Sequence, residues 1–344
     1  MKILVTANLV PFMPGGATYH IAGVVRALQQ AGHEVEQLRL PFRFSPEADI
    51  VRGMAHAESL DIIQPNGVTI DRVISLQFPG YGIKHPNHCV WVMHQHRAVY
   101  ELFDAAQASP ELIELRKQII AFDNAALAQA KSVFANSRRV AERLKDFNGI
   151  AAKPLYHPPP HTEQFRCDEA LPYVFFPSRL ETLKRQHLVI EAAKHMRSPL
   201  KIVLAGNGGQ QGVLAEMVER YGVGDRVALI GHISEAEKRA FYARASGVVF
   251  PAFDEDYGYI TLEAMLSSKP VVTCTDSGGP LEFVRHDDTG WVEAPNAEAL
   301  AARLDWIAAH PKQAAEAGQR GREGYRRADI SWHHVVDTLL APHS

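Results

Sequence analysis

Cysteine is scarce. Three stand in 344 residues, Cys89, Cys167 and Cys274, with no C-x-x-C pair, which argues against a disulfide framework and fits reduced thiols in a cytoplasm. Long apolar runs are missing as well. The opening "MKILVTANLV" is stopped by Pro11 and reads as a first strand, too short for a secretory segment. No stretch nears the roughly 20 apolar residues of a membrane span. A net charge of −3 gives no global field for nucleic acid or an anionic membrane. Low-complexity tracts and short internal repeats are absent. The expectation is a soluble, cytoplasmic protein.

What is present is alternation. Hydrophobic residues make up 46% and charged residues 22%, near globular averages, and the length suffices for two domains. "KILVT" precedes a helical pattern at about 17–31; "HEVEQL", "DRVISL", "CVWVM" and "SVFANS" follow. The proline-bearing 149–172 segment reads as a linker. After it come "YVFFPS", "LKIVLAG", "RVALIG", "GVVFPA" and "PVVTCT", each followed by a helical segment. Continuous apolar strands separated by helices predict α/β architecture, two doubly wound Rossmann-like domains facing a cleft. The expected divisions are 1–165, 166–325 and a last amphipathic helix in 326–344.

Ligands of such sheets bind beyond the carboxyl ends of strands. After the first strand, "PFMPGGATYH" puts Gly15 and Gly16 before a helix, where backbone can approach an anion. The G-x-G-x-x-G dinucleotide fingerprint is not met. In the second half, "PSRLETLKRQ" offers Arg179 and Lys184, and "AGNGGQQG" offers Gly206 and Asn207 at an expected helix start. "DEDYGYITLEAM" carries Glu255 in a loop, Gly258, Tyr259 and Ile260 at the start of a helix, and Glu263 in its second turn. A helix start can meet phosphate oxygens, with a carboxylate on either side for hydroxyls. "WVMHQHRAVYEL" adds His94 and His96, which local alternation puts on the same side, and either can be a scaffold residue. A metal pair there lacks a third ligand, and the D-x-D of 254–256 lies inside the two-glutamate context, so no metal site is expected. His157, His161, His333 and His334 read as surface or linker residues.

These motifs together resemble those of family 4 glycosyltransferases, which have the GT-B fold. The matches are "PGG", "ANS" at 135–137, "SRLETLK" for G-R-L-x-x-x-K, "EDYGYITLE" for E-x7-E, and "KPVVTCTDSGGPLEFV". Asp256 and Ser178 stand where the family usually has glycine. The resemblance implies a retaining, metal-independent transferase that moves a hexose-type sugar from a GDP- or UDP-sugar to a glycan or lipid-linked acceptor, without a further cofactor. It implies that Arg179 and Lys184 hold the diphosphate, Glu255 the sugar and Glu263 the ribose, with His94 beside the donor sugar. Surface polysaccharide or lipopolysaccharide synthesis is the implied context. The basic "SRRVAERLK" reads first as a solvated helix face and second as a peripheral membrane contact. A nucleotide-sugar epimerase, a phosphorylase or a non-catalytic nucleotide-sugar module are the alternatives.

Overall fold

The computed structural model describes residues 1–12 and 15–342. Contacts divide them into two units, Met1–His157 with the returning tail from Ser331, and Pro158–Ile330. The sequence put these joints at 165/166 and 325/326; the contacts put them at 157/158 and 330/331.

The first unit runs β1 (Lys2–Leu9), α1 (Gly16–Gln30), β2 (Glu34–Pro41), α2 (Glu47–Ser59), β3 (Arg72–Ser75) and β4 (His88–Val92). It continues with α3 (Pro110–Gln129), β5 (Ser132–Ala135), α4 (Arg138–Asn148) and β6 (Lys153–Pro154). All neighbours pair in parallel, in the order β2-β1-β3-β4-β5-β6. This is the flavodoxin-type order extended by one strand, with its switch point between β1 and β3. β3 and β4 are buried along their whole length, as strands covered on both faces must be.

The second unit runs β7 (Tyr173–Pro177), α5 (Gln186–Ala193), β8 (Lys201–Ala205), α6 (Gln211–Tyr221), β9 (Val227–Leu229) and α7 (Glu235–Arg244). Then come β10 (Gly247–Val249), α8 (Tyr259–Leu266), β11 (Val271–Cys274), β12 (Gly290–Glu293), α9 (Ala297–Ala309) and α10 (Pro311–Arg327). Its parallel order, β12-β11-β10-β7-β8-β9, is the Rossmann order, with the switch point between β7 and β10. Alternation divides the strands between two cores: Val174, Phe176, Val249 and Val272 face one, Phe175, Val248 and Val271 the other.

Three readings of the sequence change. The segment taken as linker begins as structure: β6 pairs with β5, and Leu155 and His157 behind it are 1% exposed. Pro154 is tolerated because β6 is an edge strand. His157 is therefore a core residue, stacked on His20 with ring centroids 3.9 Å apart. The C-terminal pattern is two helices where one was expected. Asp329 takes φ +48 and ends α10, and Ser331, accepting from the His334 amide at 3.2 Å, caps α11 (Trp332–Leu340). α11 lies on the first unit: Trp332 packs over Gly23 of α1, and the Leu339 carbonyl accepts from buried Arg72. Among the described residues no helix is long and apolar enough to cross a membrane.

Candidate active site

The switch point of the second unit brings the loops after β7 and β10 side by side. One backbone bond joins them, Phe253 N donating to Leu183 O at 2.7 Å, while Asp254 N to Asp276 O and Glu255 N to Ser277 O, both at 2.9 Å, tie the β10 loop to the loop after β11. The Gly279 amide donates to Glu255 O at 2.7 Å. The loop after β8 joins them, with Leu180 N on Asn207 O and Gln210 N on Leu180 O, both at 3.0 Å.

Gly206 shows why this junction rejects a side chain. Its φ is +139, and a Cβ there would stand 2.0 Å from the Ser178 carbonyl oxygen. The expected helix start at Gly206 and Asn207 is displaced: α6 begins at Gln211, capped by Gln210. Asn207 instead ties the β8 loop to Leu180, and Gly206, close against Ser178, donates its amide to the Gly231 carbonyl at 2.7 Å.

Within this frame Lys184 and Glu255 form a direct ion pair, both side chains less than one-fifth exposed. Lys184 Nζ also lies 5.7 Å from the Phe250 ring centre. At an effective dielectric of 20 such a pair attracts by about 4 kcal/mol at 4 Å, while desolvation makes its net contribution to stability small. The pair is thus exchangeable: a polyanion can take the ammonium and hydroxyls the carboxylate. Arg179 is exposed and makes no ion pair among the described residues. Its carbonyl accepts from buried Gln186 Nε2 at 2.8 Å, fixing the backbone beneath it.

Sequence reasoning passed over Arg185, next to Lys184. It holds Asp276 with two bonds, at 2.8 and 2.7 Å, and lies over Phe253 at 4.8 Å. Its φ of +58 turns the chain from the basic loop into α5. No spacing rule links residues 185 and 276; the only signal was the "KR" doublet.

α8 starts at Tyr259, with Gly258 as its cap at φ +84. A Cβ at Gly258 would meet Pro280 and Phe250 at 3.2 and 3.3 Å. Four residues beyond Tyr259, Glu263 is 3% exposed and does not join Lys184 or Arg179. Its carboxylate accepts from Lys238 Nζ at 2.9 Å and Tyr242 Oη at 2.8 Å. Burial pushes the Glu263 carboxyl up against the opposing effects of Lys238 and Tyr242. Burial works against the Lys238 charge, and Glu263 with Glu235 outweighs it, raising the ammonium. Lys238, on α7, is the partner the sequence did not disclose.

The remaining candidates belong to the first unit. Gly15 caps α1 and Gly16 begins it; Pro14 of the "PGG" motif lies outside the described residues. His94, half-buried, makes a 2.8 Å bond through Nδ1 to the Gln95 carbonyl. His96 sits against Phe78 and Phe42, and burial, then His94, lowers it to about 4. The basic stretch on α4 is narrower than its sequence: Arg143 is buried against Glu101 at 3.3 Å, and Arg139 lies 3.8 Å from Glu142.

With this geometry in view, the family profile described as Glycosyl transferases group 1 matches residues 160–324, nearly the whole second unit. An uncharacterised glycosyltransferase of Methanocaldococcus jannaschii is 30% identical over 137 residues, 39% of this chain and 35% of that protein. The D-inositol 3-phosphate glycosyltransferase of Nocardia farcinica is 25% identical over 246 residues, 63% of this chain and 53% of its own length. The chain thus spans between a third and about half of these curated relatives. Among solved structures, Anabaena HepE with UDP and glucose aligns at TM-score 0.72 and 18% identity, covering 99% of this chain and 100% of that one. The Thermosynechococcus elongatus sucrose-phosphate synthase aligns at TM-score 0.77 and 18% identity, covering 98% and 97%. The fold is the α/β two-domain fold of the GT-B glycosyltransferases.

Proposed function

We propose that the chain is a retaining glycosyltransferase whose second unit binds a nucleotide-diphosphate sugar. One observation carries the reading: Lys184 and Glu255 meet at the switch point, within the segment similar to group 1 glycosyl transferases. In the proposed complex the ion pair opens. Lys184 and Arg179 take the diphosphate, the first amides of α8 at Gly258, Tyr259 and Ile260 point toward it, and Glu255 takes sugar hydroxyls. Glu263 receives the ribose, with Lys238 and Tyr242 holding its carboxylate. Asn207 keeps the β8 loop against Leu180, with Gly206 close against Ser178.

A nucleoside diphosphate leaves as a stable anion, so fixed positive charge around the departing oxygens is the main catalytic need. Protonation by a raised carboxylic acid, as in glycoside hydrolysis, is not required. The transfer is accordingly proposed to proceed without a metal, the donor phosphate assisting removal of the acceptor's proton. A UDP-sugar is favoured by the UDP and glucose in the HepE structure; a GDP-sugar is the other candidate. The proposed acceptor is a glycan or lipid-linked glycan in surface polysaccharide synthesis, the setting named for a lipopolysaccharide outer core galactosyltransferase of similar fold.

The test is incubation with a panel of nucleotide sugars and acceptors. Released nucleoside diphosphate with a new glycoside supports the reading. An epimerised donor without glycoside favours an epimerase, and saturable binding with neither product favours a binding module.

A further inference from the structure

A chain of hydrogen-bonded polar groups in the first unit, buried at Asp123, Tyr81, Tyr100 and Gln95 and half-buried at Asn148, ends at His94. Asp123 of α3 is fully buried and accepts two phenolic bonds, from Tyr81 at 2.8 Å and from Tyr100 at 2.6 Å. Tyr81 lies in the loop after β3 and Tyr100 in the loop after β4, so one carboxyl group ties both loops to α3. The Tyr100 oxygen accepts from Asn148 Nδ2, the last residue of α4, at 3.2 Å. The Asn148 amide also donates to Asn124 at 2.7 Å, and its Oδ1 accepts from Gln95 Nε2 at 2.5 Å. Gln95 is 2% exposed. Its carbonyl meets His94 Nδ1 at 2.8 Å.

A carbonyl oxygen can only accept, so this last contact puts the proton of neutral His94 on Nδ1 and leaves the lone pair on Nε2. We propose that Asn148 and Tyr100 are positioning residues: with Asp123 as anchor, they hold Gln95 so that its carbonyl keeps His94 in the Nδ1–H form. Nε2 is then a hydrogen-bond acceptor, the chemistry that meets a sugar hydroxyl rather than a phosphate oxygen, which carries no proton to give. The role at a sugar rests on the glycosyltransferase reading; the tautomer does not.

The alternative is a relay that merely packs α3 and α4 against the loops. Buried polar groups are satisfied somewhere in any fold, so bond geometry alone does not separate the two. The position of the proton does.

The experiment is long-range 1H–15N NMR of the full chain near pH 8, with the His94 ring assigned through His94→Gln. The wild type is expected to show a pyridine-type Nε2 and a protonated Nδ1. Tyr100→Phe keeps the ring and removes the hydroxyl, and Asn148→Ala removes the amide. Both are expected to move the His94 nitrogens toward averaged tautomer shifts. With a turned-over donor, kcat is expected to fall by about tenfold while the donor KM changes by less than about twofold. If both variants fold, as judged by circular dichroism, and His94 keeps the wild-type tautomer, the relay is overturned. If Asn148→Ala fails to fold, Tyr100→Phe alone decides. Altered shifts in a protein that turns over no donor leave the relay standing and remove the glycosyltransferase reading.

Discussion

The Lys184 ammonium and the Glu255 carboxylate, 71 positions apart, meet directly where the loops after β7 and β10 are locked together. A pair this enclosed would be a poor investment for stability alone, because desolvation consumes most of its attraction. In the proposed function its value is that both members are placed before the donor arrives.

Lys184→Ala is therefore expected to lower kcat/KM for the nucleotide sugar by about a hundredfold or more, equivalent to about 2.7 kcal/mol of transition-state stabilisation. Steady-state kinetics with a turned-over donor measure it. An effect under about fivefold would remove Lys184 from the site.

Gly206→Ala tests the junction beneath that pair. The new methyl would stand 2.0 Å from the Ser178 carbonyl at a φ of +139. The variant is expected to lose about 1–3 kcal/mol and to weaken nucleoside diphosphate binding together with it. Denaturant unfolding and calorimetric titration read the two effects. Unchanged values for both would mean that the loops do not depend on this close approach.

The Glu263–Lys238 pair has a different signature. Lys238→Met leaves a buried carboxylate with Tyr242 as its remaining side-chain donor and is expected to cost about 3–5 kcal/mol. Lys238→Met with Glu263→Leu is expected to recover most of that loss while abolishing nucleotide affinity. Recovery of stability with intact nucleotide binding would take Glu263 out of the donor site.

Acid stability follows from the first unit's histidines. Burial lowers His20 to about 3 and, with smaller contributions from neighbouring histidines, His88 and His96 to about 4 and His157 well below its usual value. Between these values and about 6.5 the unfolded chain binds protons that the folded chain refuses, so stability falls as pH falls through that window. Asp123 works the other way. Burial, against bonds from Tyr100 and Tyr81, raises it to about 7, so its contribution declines as pH rises from about 4 to 7 and offsets one histidine. His20→Phe retains a ring beside Trp91 and His157 and is expected to flatten the acid limb by about 1.4 kcal/mol per pH unit. Urea unfolding at pH 5 and pH 7.5 checks this. An unaltered slope would show that His20 titrates alike in both states.

Much of the fold was legible because its strands are short apolar runs between helices, from "KILVT" through "PVVTCT". β6 and β12 escaped that pattern. One is two residues long with a proline, and the other, "GWVE", has too few apolar residues to read as a run. The C-terminal helix was read through Asp329 because a left-handed aspartate leaves no mark on hydrophobic periodicity. At the candidate site, Glu255 and Gly258 stood out by chemistry and spacing, and Lys184 through the motif resemblance. The Arg185–Asp276 and Lys238–Glu263 partnerships did not, since each joins separate elements through the fold. His157 was misplaced for a related reason: its proline-rich neighbours suggested a linker, while its burial comes from α1 and α11.

The most direct test is a crystal structure with a non-hydrolysed nucleotide-sugar donor. The account expects the Lys184–Glu255 bond to be broken, Lys184 Nζ within about 3.2 Å of a diphosphate oxygen, and Glu255 on sugar hydroxyls. A donor bound elsewhere, with Lys184 still on Glu255, would contradict it.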